Sequence, residues 1–280
     1  MNKAYQYKPV TYFSITFLIT FVFWIVGAYG SFQESTEGAA MVLVLLGLMT
    51  PFIISVVMTF KSQDATLKKM FWNRLINPKL IQLKMLPFIF LIMPLAMLLS
   101  VLISLPFGGE ISQLHWREGF SFSFGAFPVL LGLILVAIFE EIGWRGYAFD
   151  SLQSKYNFFM ASLLFSILWS LWHAPLFFVK DFYQYEILHQ NGWYAVNFFV
   201  SIIPMGIIIS WVCIKNGKSV LAAILFHFII NMSQELLSVT QETKSIETAV
   251  LAIIAIIIIA YDKELFFSKK PLNNLGEDNS

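Results

Sequence analysis

Residues 137–146 read AIFEEIGWRG, and they follow about twenty residues that carry no charged side chain. Glu140 and Glu141 are adjacent, and Arg145 comes one helical turn after Glu141. On a soluble helix such a cluster is typical of a solvated face. Inside a membrane each charge costs a few kcal/mol or more, so such groups are normally paired or face a water-filled cavity. What this stretch does therefore depends on whether it lies in water or in lipid.

The amino-acid composition indicates a membrane protein. Of the 280 residues, 58% are hydrophobic and 17% are aromatic, whereas only 12% are charged. Charged residues make up about 25% of an ordinary soluble domain, so this chain lacks the polar surface to cover a water-soluble globule. The net charge of +1 argues against a nucleic-acid partner, because nucleic-acid binders concentrate Lys and Arg on one surface. The sequence predicts a multi-pass protein of the cell membrane, in contact with membrane lipids.

Eight apolar runs approach or exceed the roughly 20 residues that a helix needs to cross a bilayer. They are residues 10–30, 38–60, 85–107, 120–148, 158–179, 194–214, 220–237 and 246–261. We predict an all-α integral membrane protein with eight transmembrane helices in one domain, residues 1–270, whose motif-bearing core covers about 120–237. Residues 271–280 are polar and predicted to be disordered. The first run is predicted to be retained, because it is longer than the apolar core of a signal peptide.

The distribution of Lys and Arg supports this count, because cytoplasmic loops of membrane proteins carry an excess of basic residues. With the N-terminus inside, fourteen of the 18 basic residues fall on the cytoplasmic side: Lys3, Lys8, Lys61, Lys68, Lys69, Arg74, Lys79, Lys84, Lys155, Lys215, Lys218, Lys263, Lys269 and Lys270. The opposite side receives only Arg117, Lys180 and Lys244. Both termini are therefore predicted to be cytoplasmic.

Helical geometry separates the roles of the charged residues in span four. Residues four apart share a helix face, whereas residues five apart do not. Glu141 is therefore the expected ion-pair partner of Arg145, a pair that is often purely structural. Glu140 points away from that pair. An unpaired carboxylate in a membrane has few structural uses, so we expect Glu140 to carry chemistry.

Two further spans carry polar residues at the same four-residue spacing. Trp169 and His173 share a face of span five, and His227 and Asn231 share a face of span seven. Pro175 should kink span five beside the histidine, because proline removes a backbone hydrogen bond. Non-helical backbone at membrane depth is tolerated where it lines a cavity. We expect these side chains and the first glutamate to face one polar cavity.

A carboxylate, two imidazoles and an amide in one cavity can hydrolyse a peptide bond. Glu140 is predicted to act as general base and then general acid, taking a proton from water and passing it to the leaving amine. His173 is predicted to help activate that water. His227 and Asn231 are predicted to stabilise the oxyanion. Taken singly, either histidine is as often a packing residue, and an intramembrane asparagine often only links helices.

Three motifs resemble those of a known protease family. EEIGWR fits E-E-x-x-x-R, WSLWH fits an aromatic-x-x-x-His motif, and HFIIN fits His-x-x-x-Asn. Their order and helical setting resemble the CPBP (Abi) family of intramembrane proteases, which includes the type II CAAX prenyl endopeptidases. The resemblance covers roughly residues 120–237. One departure is Trp169, where the family often has Phe.

The resemblance implies an eight-helix membrane endopeptidase whose eukaryotic branch removes the last three residues after a prenylated cysteine. The substrate is then a lipid-modified peptide or protein. The resemblance also implies that Glu140 is the catalytic carboxylate, that His173 is its partner in activating water and that His227 and Asn231 stabilise the oxyanion. Glu141, Arg145 and Trp169 match the supporting positions of the motifs.

Other functions stay open at this point. Two histidines and a glutamate can also hold Zn²⁺ with an open fourth position, but the H-E-x-x-H arrangement is absent, so we expect catalysis without a cofactor. Proton-coupled transporters also use intramembrane Glu, His and Arg, often within inverted repeats that are not found here. A non-proteolytic, bacteriocin-immunity-type protein of the same fold is a third alternative. His115 and His189 fall in predicted external loops and receive no role.

The predicted spans place two of the site residues at different depths. At 1.5 Å per residue, Glu140 lies about 15 Å from Asp150 at the cytoplasmic end of its span. His173 lies about 27 Å beyond Lys155. Either residues 150–157 enter the membrane or span five is strongly tilted. Water is expected to reach the cavity from the cytoplasmic side, and lipid-anchored substrate from between helices.

Overall fold

A computed structural model of the chain describes residues 5–117 and 129–268, and no β-strand forms within those ranges. The described α-helices are α1 (Pro9–Gly30), α2 (Glu37–Lys61), α3 (Ala65–Ile76), α4 (Leu86–Ser104), α5 (Val129–Gly143), α6 (Phe149–Gln153), α7 (Phe158–Trp172), α8 (Tyr183–Gln190), α9 (Gly192–Lys215), α10 (Val220–Glu235), α11 (Gln241–Tyr261) and α12 (Lys263–Phe267). A π-helical turn, Trp144–Ala148, joins α5 to α6. The expectation of an all-α protein is confirmed for the described ranges.

Six helical segments are long and apolar enough to cross a membrane. They are Pro9–Gly30, Glu37–Lys61, Leu83–Phe107, Phe158–Phe178, Gly192–Lys215 and Gln241–Tyr261. Each corresponds to one of the predicted apolar runs. Large aliphatic side chains on their outer faces, such as Leu18, Leu95 and Ile256, are exposed. Exposed apolar surface of this extent is typical of helices that contact lipid.

The other two predicted runs take a different form. Span seven is the shorter apolar helix α10, with 16 residues. Span four is a continuous helical segment, residues 129–153, made of α5, the π-turn and α6. Its predicted start, residues 120–128, lies outside the described ranges, as do residues 1–4 and 269–280, which include the predicted polar tail. The count of eight crossings therefore stays a prediction.

Helix α2 contains a proline, and α1 supplies a donor to the carbonyl that the proline leaves without its helical partner. Pro51 has no N–H, so the carbonyl of Gly47 loses its helical partner. Thr20 Oγ1 donates to the Gly47 carbonyl at 3.2 Å, and Tyr12 Oη donates to the Pro51 carbonyl at 3.0 Å. Backbone groups left unpaired in lipid cost several kcal/mol each. These two bonds therefore tie α1 and α2 together.

Gly143 allows α5 to pack closely on α2. A Cβ atom at this position would lie 2.5 Å from the carbonyl carbon of Pro51, so no side chain fits there without a shift of the backbone. Ser55 Oγ of α2 also donates to the Ile142 carbonyl of α5 at 3.1 Å. This contact lies directly after the two glutamates, and it sets their position in the bundle.

The basic segment after α2 forms the short surface helix α3. Asp64 caps its N-terminus, with Oδ1 accepting from the Leu67 N–H at 2.9 Å. Leu67 and Phe71 are buried against the bundle, whereas Lys69 is exposed. Such a division is typical of an amphipathic helix at a membrane interface.

Candidate active site

One cavity of about 160 Å³ is lined by all four predicted catalytic side chains. Glu140 reaches it from α5, His173 from the end of α7, and His227 and Asn231 from α10. Trp169 forms part of its wall. A volume of this size holds several water molecules, each of which occupies about 30 Å³ in the liquid. The three sequence motifs therefore meet around one hollow.

Two indole N–H groups hold one oxygen of Glu140. Trp169 Nε1 donates to Oε2 at 2.7 Å, and Trp144 Nε1 donates to the same oxygen at 3.2 Å. Glu140 is only 3% exposed, so these bonds replace water as partners of the carboxylate. Oε1 is the oxygen left for a water molecule. The sequence assigns Trp169 a supporting role and Trp144 none, although Trp144 shares the helix face of Glu140 at a spacing of four residues.

Glu141 binds both Arg145 and His227. The predicted ion pair is present, with Arg145 Nη1 3.0 Å from Glu141 Oε2, and both side chains are fully buried. His227 Nδ1 lies 2.8 Å from Glu141 Oε1. Arg145 is further held by Ser210 Oγ at 3.4 Å and stacks on the Phe165 ring, with its guanidinium carbon 4.1 Å from the ring centroid. Glu141 therefore orients a histidine in addition to pairing with the arginine.

His173 lies where α7 ends. The helix stops at Trp172, and the next residues, Ala174–Phe178, form a 3₁₀-helix that contains Pro175. His173 Nδ1 lies 2.8 Å from the carbonyl of Trp169. A carbonyl can only accept, so Nδ1 carries the proton and Nε2 of the neutral ring is an acceptor. The expected kink at the proline is thus a change from α-helix to 3₁₀-helix.

The predicted difference in depth disappears because the helix that carries Glu140 is longer than its apolar run. The helical segment continues through Asp150 to Gln153, so Glu140 lies thirteen residues, or about 20 Å, before its end. Helix α7 begins at Phe158, and His173 lies fifteen residues, or about 22 Å, beyond that start. Whether residues 150–157 enter the membrane stays a prediction.

Asn231 contacts the backbone of the helix that carries Glu140. Its Nδ2 donates to the Leu133 carbonyl at 3.2 Å, while the side chain also lines the cavity. This bond ties α10 to α5, a role that intramembrane asparagine often has. An amide nitrogen has two N–H donors, so one is left for a ligand. His115 and His189 do not line this cavity.

Comparison with known proteins identifies the family of the chain. Residues 122–233 match the family described as Type II CAAX prenyl endopeptidase Rce1-like. The chain is also 57% identical over 269 residues to CAAX prenyl protease 2 of Methanococcus maripaludis, an alignment that covers 96% of this chain and 99% of the relative. The chain belongs to the type II CAAX prenyl endopeptidase family.

This type II CAAX prenyl endopeptidase is a multi-pass membrane protein, since its six long apolar helices agree with the family. The family match includes all three motifs, from Glu140 to Asn231. A second relative, lysostaphin resistance protein A of Staphylococcus haemolyticus, is 27% identical over 106 residues, which are 38% of this chain and 26% of the relative.

A buried ionic cluster closes one end of the endopeptidase bundle. Arg74 of α3 donates from Nη2 to the Arg145 carbonyl in the π-turn at 2.6 Å, and its Nη1 lies 2.5 Å from Asp150 Oδ2. Lys218 Nζ lies 3.1 Å from Asp150 Oδ1. Burial acts to raise the pKa of Asp150, but Arg74 and Lys218 outweigh burial and hold that pKa below its ordinary value. The positive-inside rule predicts a cytoplasmic position for Arg74. Nothing in the sequence indicates that its side chain turns into the helix bundle.

The active-site cavity of the endopeptidase extends toward the opposite end. Its further lining includes Tyr183, Tyr194, Gln234 and Lys244. These residues belong to helix ends next to residues 180–191 and 236–240, which the positive-inside rule assigns to the side opposite the termini. The expectation that water reaches the cavity from the cytoplasmic side stays a prediction.

Within residues 5–117 and 129–268, no group of three or more His, Cys, Asp or Glu side chains is arranged to hold a metal ion. The three donors of the zinc alternative have other contacts in the endopeptidase. His227 Nδ1 contacts Glu141, His173 Nδ1 contacts a carbonyl, and Oε2 of Glu140 accepts from two indoles. These contacts leave Nε2 of both histidines and Oε1 of Glu140 for other partners.

Proposed function

We propose that the chain hydrolyses a peptide bond near the C-terminus of a lipid-anchored, prenyl-CAAX-like protein, using a water molecule activated by Glu140. The observation that carries this proposal is the cavity shared by Glu140, His173, His227 and Asn231. The substrate class is supported by the family match and by the relative named CAAX prenyl protease 2.

In this mechanism Glu140 accepts a proton from water through Oε1 as the water attacks the scissile carbonyl, and it then passes the proton to the leaving amine. His173 Nε2 accepts a second hydrogen bond from the same water and so orients it. The Trp169 and Trp144 indoles hold the carboxylate in place. Catalysis of this kind typically contributes about 10²-fold to 10⁴-fold.

His227 and Asn231 stabilise the negative oxygen that forms on the attacked carbonyl. His227 donates to Glu141 through Nδ1, so donation from Nε2 to the oxyanion needs the imidazolium, whose charge the Glu141 carboxylate offsets. Asn231 contributes the N–H that the Leu133 carbonyl does not use. Donors of this kind are typically worth about 10²-fold to 10³-fold in rate.

The central test is cleavage of a farnesylated C-terminal peptide by the purified protein in detergent. Glu140→Gln and His227→Ala should each lower kcat/KM by at least about 10²-fold. His115→Ala and His189→Ala are matched controls, since neither histidine lines the cavity, and both should cleave normally. Full activity in both site variants overturns the assignment. A folded wild-type protein that cleaves no such peptide favours the non-proteolytic or transporter alternative.

We propose that hydrolysis proceeds without a metal, because the described residues contain no group of three or more His, Cys, Asp or Glu side chains arranged to hold one. Activity should then survive prolonged dialysis against a strong chelator, measured with the same farnesylated peptide. Loss of activity on dialysis, followed by recovery when Zn²⁺ is added back, would show that a metal takes part. Glu140 and the two histidines would then be the candidate ligands.

We also propose eight membrane crossings with both termini cytoplasmic, in which α5 with the π-turn, residues 129–148, and α10 provide the two crossings beyond the six long helices, and Asp150 lies just outside the membrane. The polar end of the cavity then faces away from the cytoplasm. Cys213 is the sole cysteine of the sequence, so Cys213→Ala allows single cysteines to be introduced at exposed positions. In the Cys213→Ala background, a membrane-impermeant maleimide should label Ser112→Cys in intact cells. It should label Lys69→Cys only after the cells are lysed. The reverse pattern contradicts this orientation.

A further inference from the structure

Lys244 is a buried ammonium group in the wall of the active-site cavity. The positive-inside rule treats it as a loop lysine, but it lies in the first turn of α11 and is only 6% exposed. Its Nζ donates to the Gln234 carbonyl at 3.1 Å and to Tyr183 Oη at 3.3 Å. Among the residues that the structure describes, no carboxylate lies within 4.0 Å of it. A buried lysine is normally paired, so this ammonium has the means to bind an anion.

Glu247, in the same wall, has a buried oxygen that makes no hydrogen bond. It is 2% exposed and lines the cavity together with Lys244. Its Oε2 accepts from Gln234 Nε2 at 2.7 Å, but its buried Oε1 has no hydrogen-bond partner. Leaving a buried polar atom without a hydrogen bond is costly. A donor from a bound ligand would remove that cost.

The spacing between this wall and the catalytic residues matches a short peptide. Lys244 contacts Gln234, which lies seven residues after His227 on α10. At 1.5 Å per residue, this is about 10 Å along the helix axis. Three residues of extended chain span about 10 Å. A peptide whose scissile bond lies at His227 can therefore place the end of its third following residue at Lys244.

We propose that Lys244 binds the C-terminal carboxylate of the substrate, three residues beyond the scissile bond, and that Glu247 Oε1 accepts a backbone N–H from the same segment. The inference rests on the proposed endopeptidase function and adds a subsite to it. A substrate can bind Lys244 and Glu247 together only if its free C-terminus lies three residues beyond the cleaved bond. The two side chains therefore favour substrates of that length.

The test compares two farnesylated peptides of identical sequence, one with a free C-terminal carboxylate and one with a C-terminal amide. The wild-type protein should cleave the carboxylate peptide with a kcat/KM about 10-fold to 100-fold higher, the range expected for a hydrogen bond to a charged group. Lys244→Met should abolish this preference by lowering cleavage of the carboxylate peptide alone. Lys244→Arg should restore part of it. Lys180→Met is the control, because Lys180 is exposed and does not line the cavity.

Cleavage of the amide peptide shows in the same assay that Lys244→Met is folded and catalytically intact. Equal cleavage of the two peptides by the wild-type protein overturns the inference, and this result does not depend on any variant. A preference that persists in Lys244→Met also overturns it. If the wild-type protein cleaves neither peptide, the proposed endopeptidase function fails, and the inference fails with it.

Discussion

His227 Nδ1 lies 2.8 Å from Glu141 Oε1, although the two residues are 86 positions apart in the chain. Arg145 Nη1 donates to the same oxygen at 3.1 Å and lies 3.0 Å from Oε2. Glu141 therefore joins the first motif to the third, and it fixes the ring that faces the cavity. If His227 stabilises the oxyanion as proposed, a residue that orients it in this way should change the rate more than it changes substrate binding.

Glu141→Gln should lower kcat by about 10-fold to 100-fold, the usual cost of removing the partner that orients a functional histidine. KM should change little, because Glu141 does not line the cavity. The midpoint of thermal unfolding should also fall, since Arg145 loses its buried counter-charge. Ser210→Ala is the control, because it removes the 3.4 Å contact to Arg145 without affecting His227. A Glu141→Gln protein with the kcat of the wild type rules out the orienting role.

Trp169→Phe should lower kcat about tenfold or more, because it removes the 2.7 Å hydrogen bond to Glu140 while keeping an aromatic ring. Trp144→Phe should have a smaller effect, since its bond to the same oxygen is longer, at 3.2 Å. Steady-state cleavage of the farnesylated peptide measures both. If the two variants are indistinguishable from wild type, the indoles only pack against the carboxylate.

Local spacing predicts the parts of this site that lie within one helix. The pair between Glu141 and Arg145 follows from four residues of separation, and so does the shared face of Trp169 and His173. Contacts between helices do not follow from the sequence. The bonds from Glu141 to His227 and from Trp169 to Glu140 depend on how α5, α7 and α10 pack.

In the fold, too, features of a single segment follow from the sequence, whereas contacts between segments do not. Six of the eight apolar runs correspond to long apolar helices, because length and hydropathy are properties of a single segment. The π-turn at Trp144–Ala148 has no such signature, since a shift in hydrogen-bond register depends on neighbouring helices. The inward turn of Arg74 also depends on packing, so charge counting alone did not predict it.

Gly143→Ala should lower the thermal unfolding midpoint of the detergent-solubilised protein. The added methyl group would lie 2.5 Å from the Pro51 backbone, which cannot move aside as a flexible side chain would. Overpacking of this kind costs about 1–3 kcal/mol. Gly38→Ala is the matched control, because a Cβ at Gly38 of α2 meets nothing within 4 Å. Equal midpoints for the two variants would contradict close packing of α5 on α2.

The acid sensitivity of the protein should depend on Asp150. Arg74 and Lys218 hold the pKa of this buried carboxyl below its ordinary value, so its contribution to stability is present above the unfolded pKa of about 4. That contribution is lost as the pH falls through the lowered pKa of the folded state, where Asp150 takes up a proton and both cations lose their partner.

Thermal unfolding between pH 7 and pH 3 measures this contribution. Asp150→Asn should be much less stable than wild type at pH 7, because removing one partner of a buried ion pair costs about 3–5 kcal/mol. The gap between the two proteins should narrow as the pH falls below about 4, since the wild-type carboxyl then becomes neutral. Asp181→Asn, at an exposed position, should show no such pH-dependent gap. A gap for Asp150→Asn that stays constant down to pH 3 would mean that the carboxylate charge does not hold Arg74 against the π-turn.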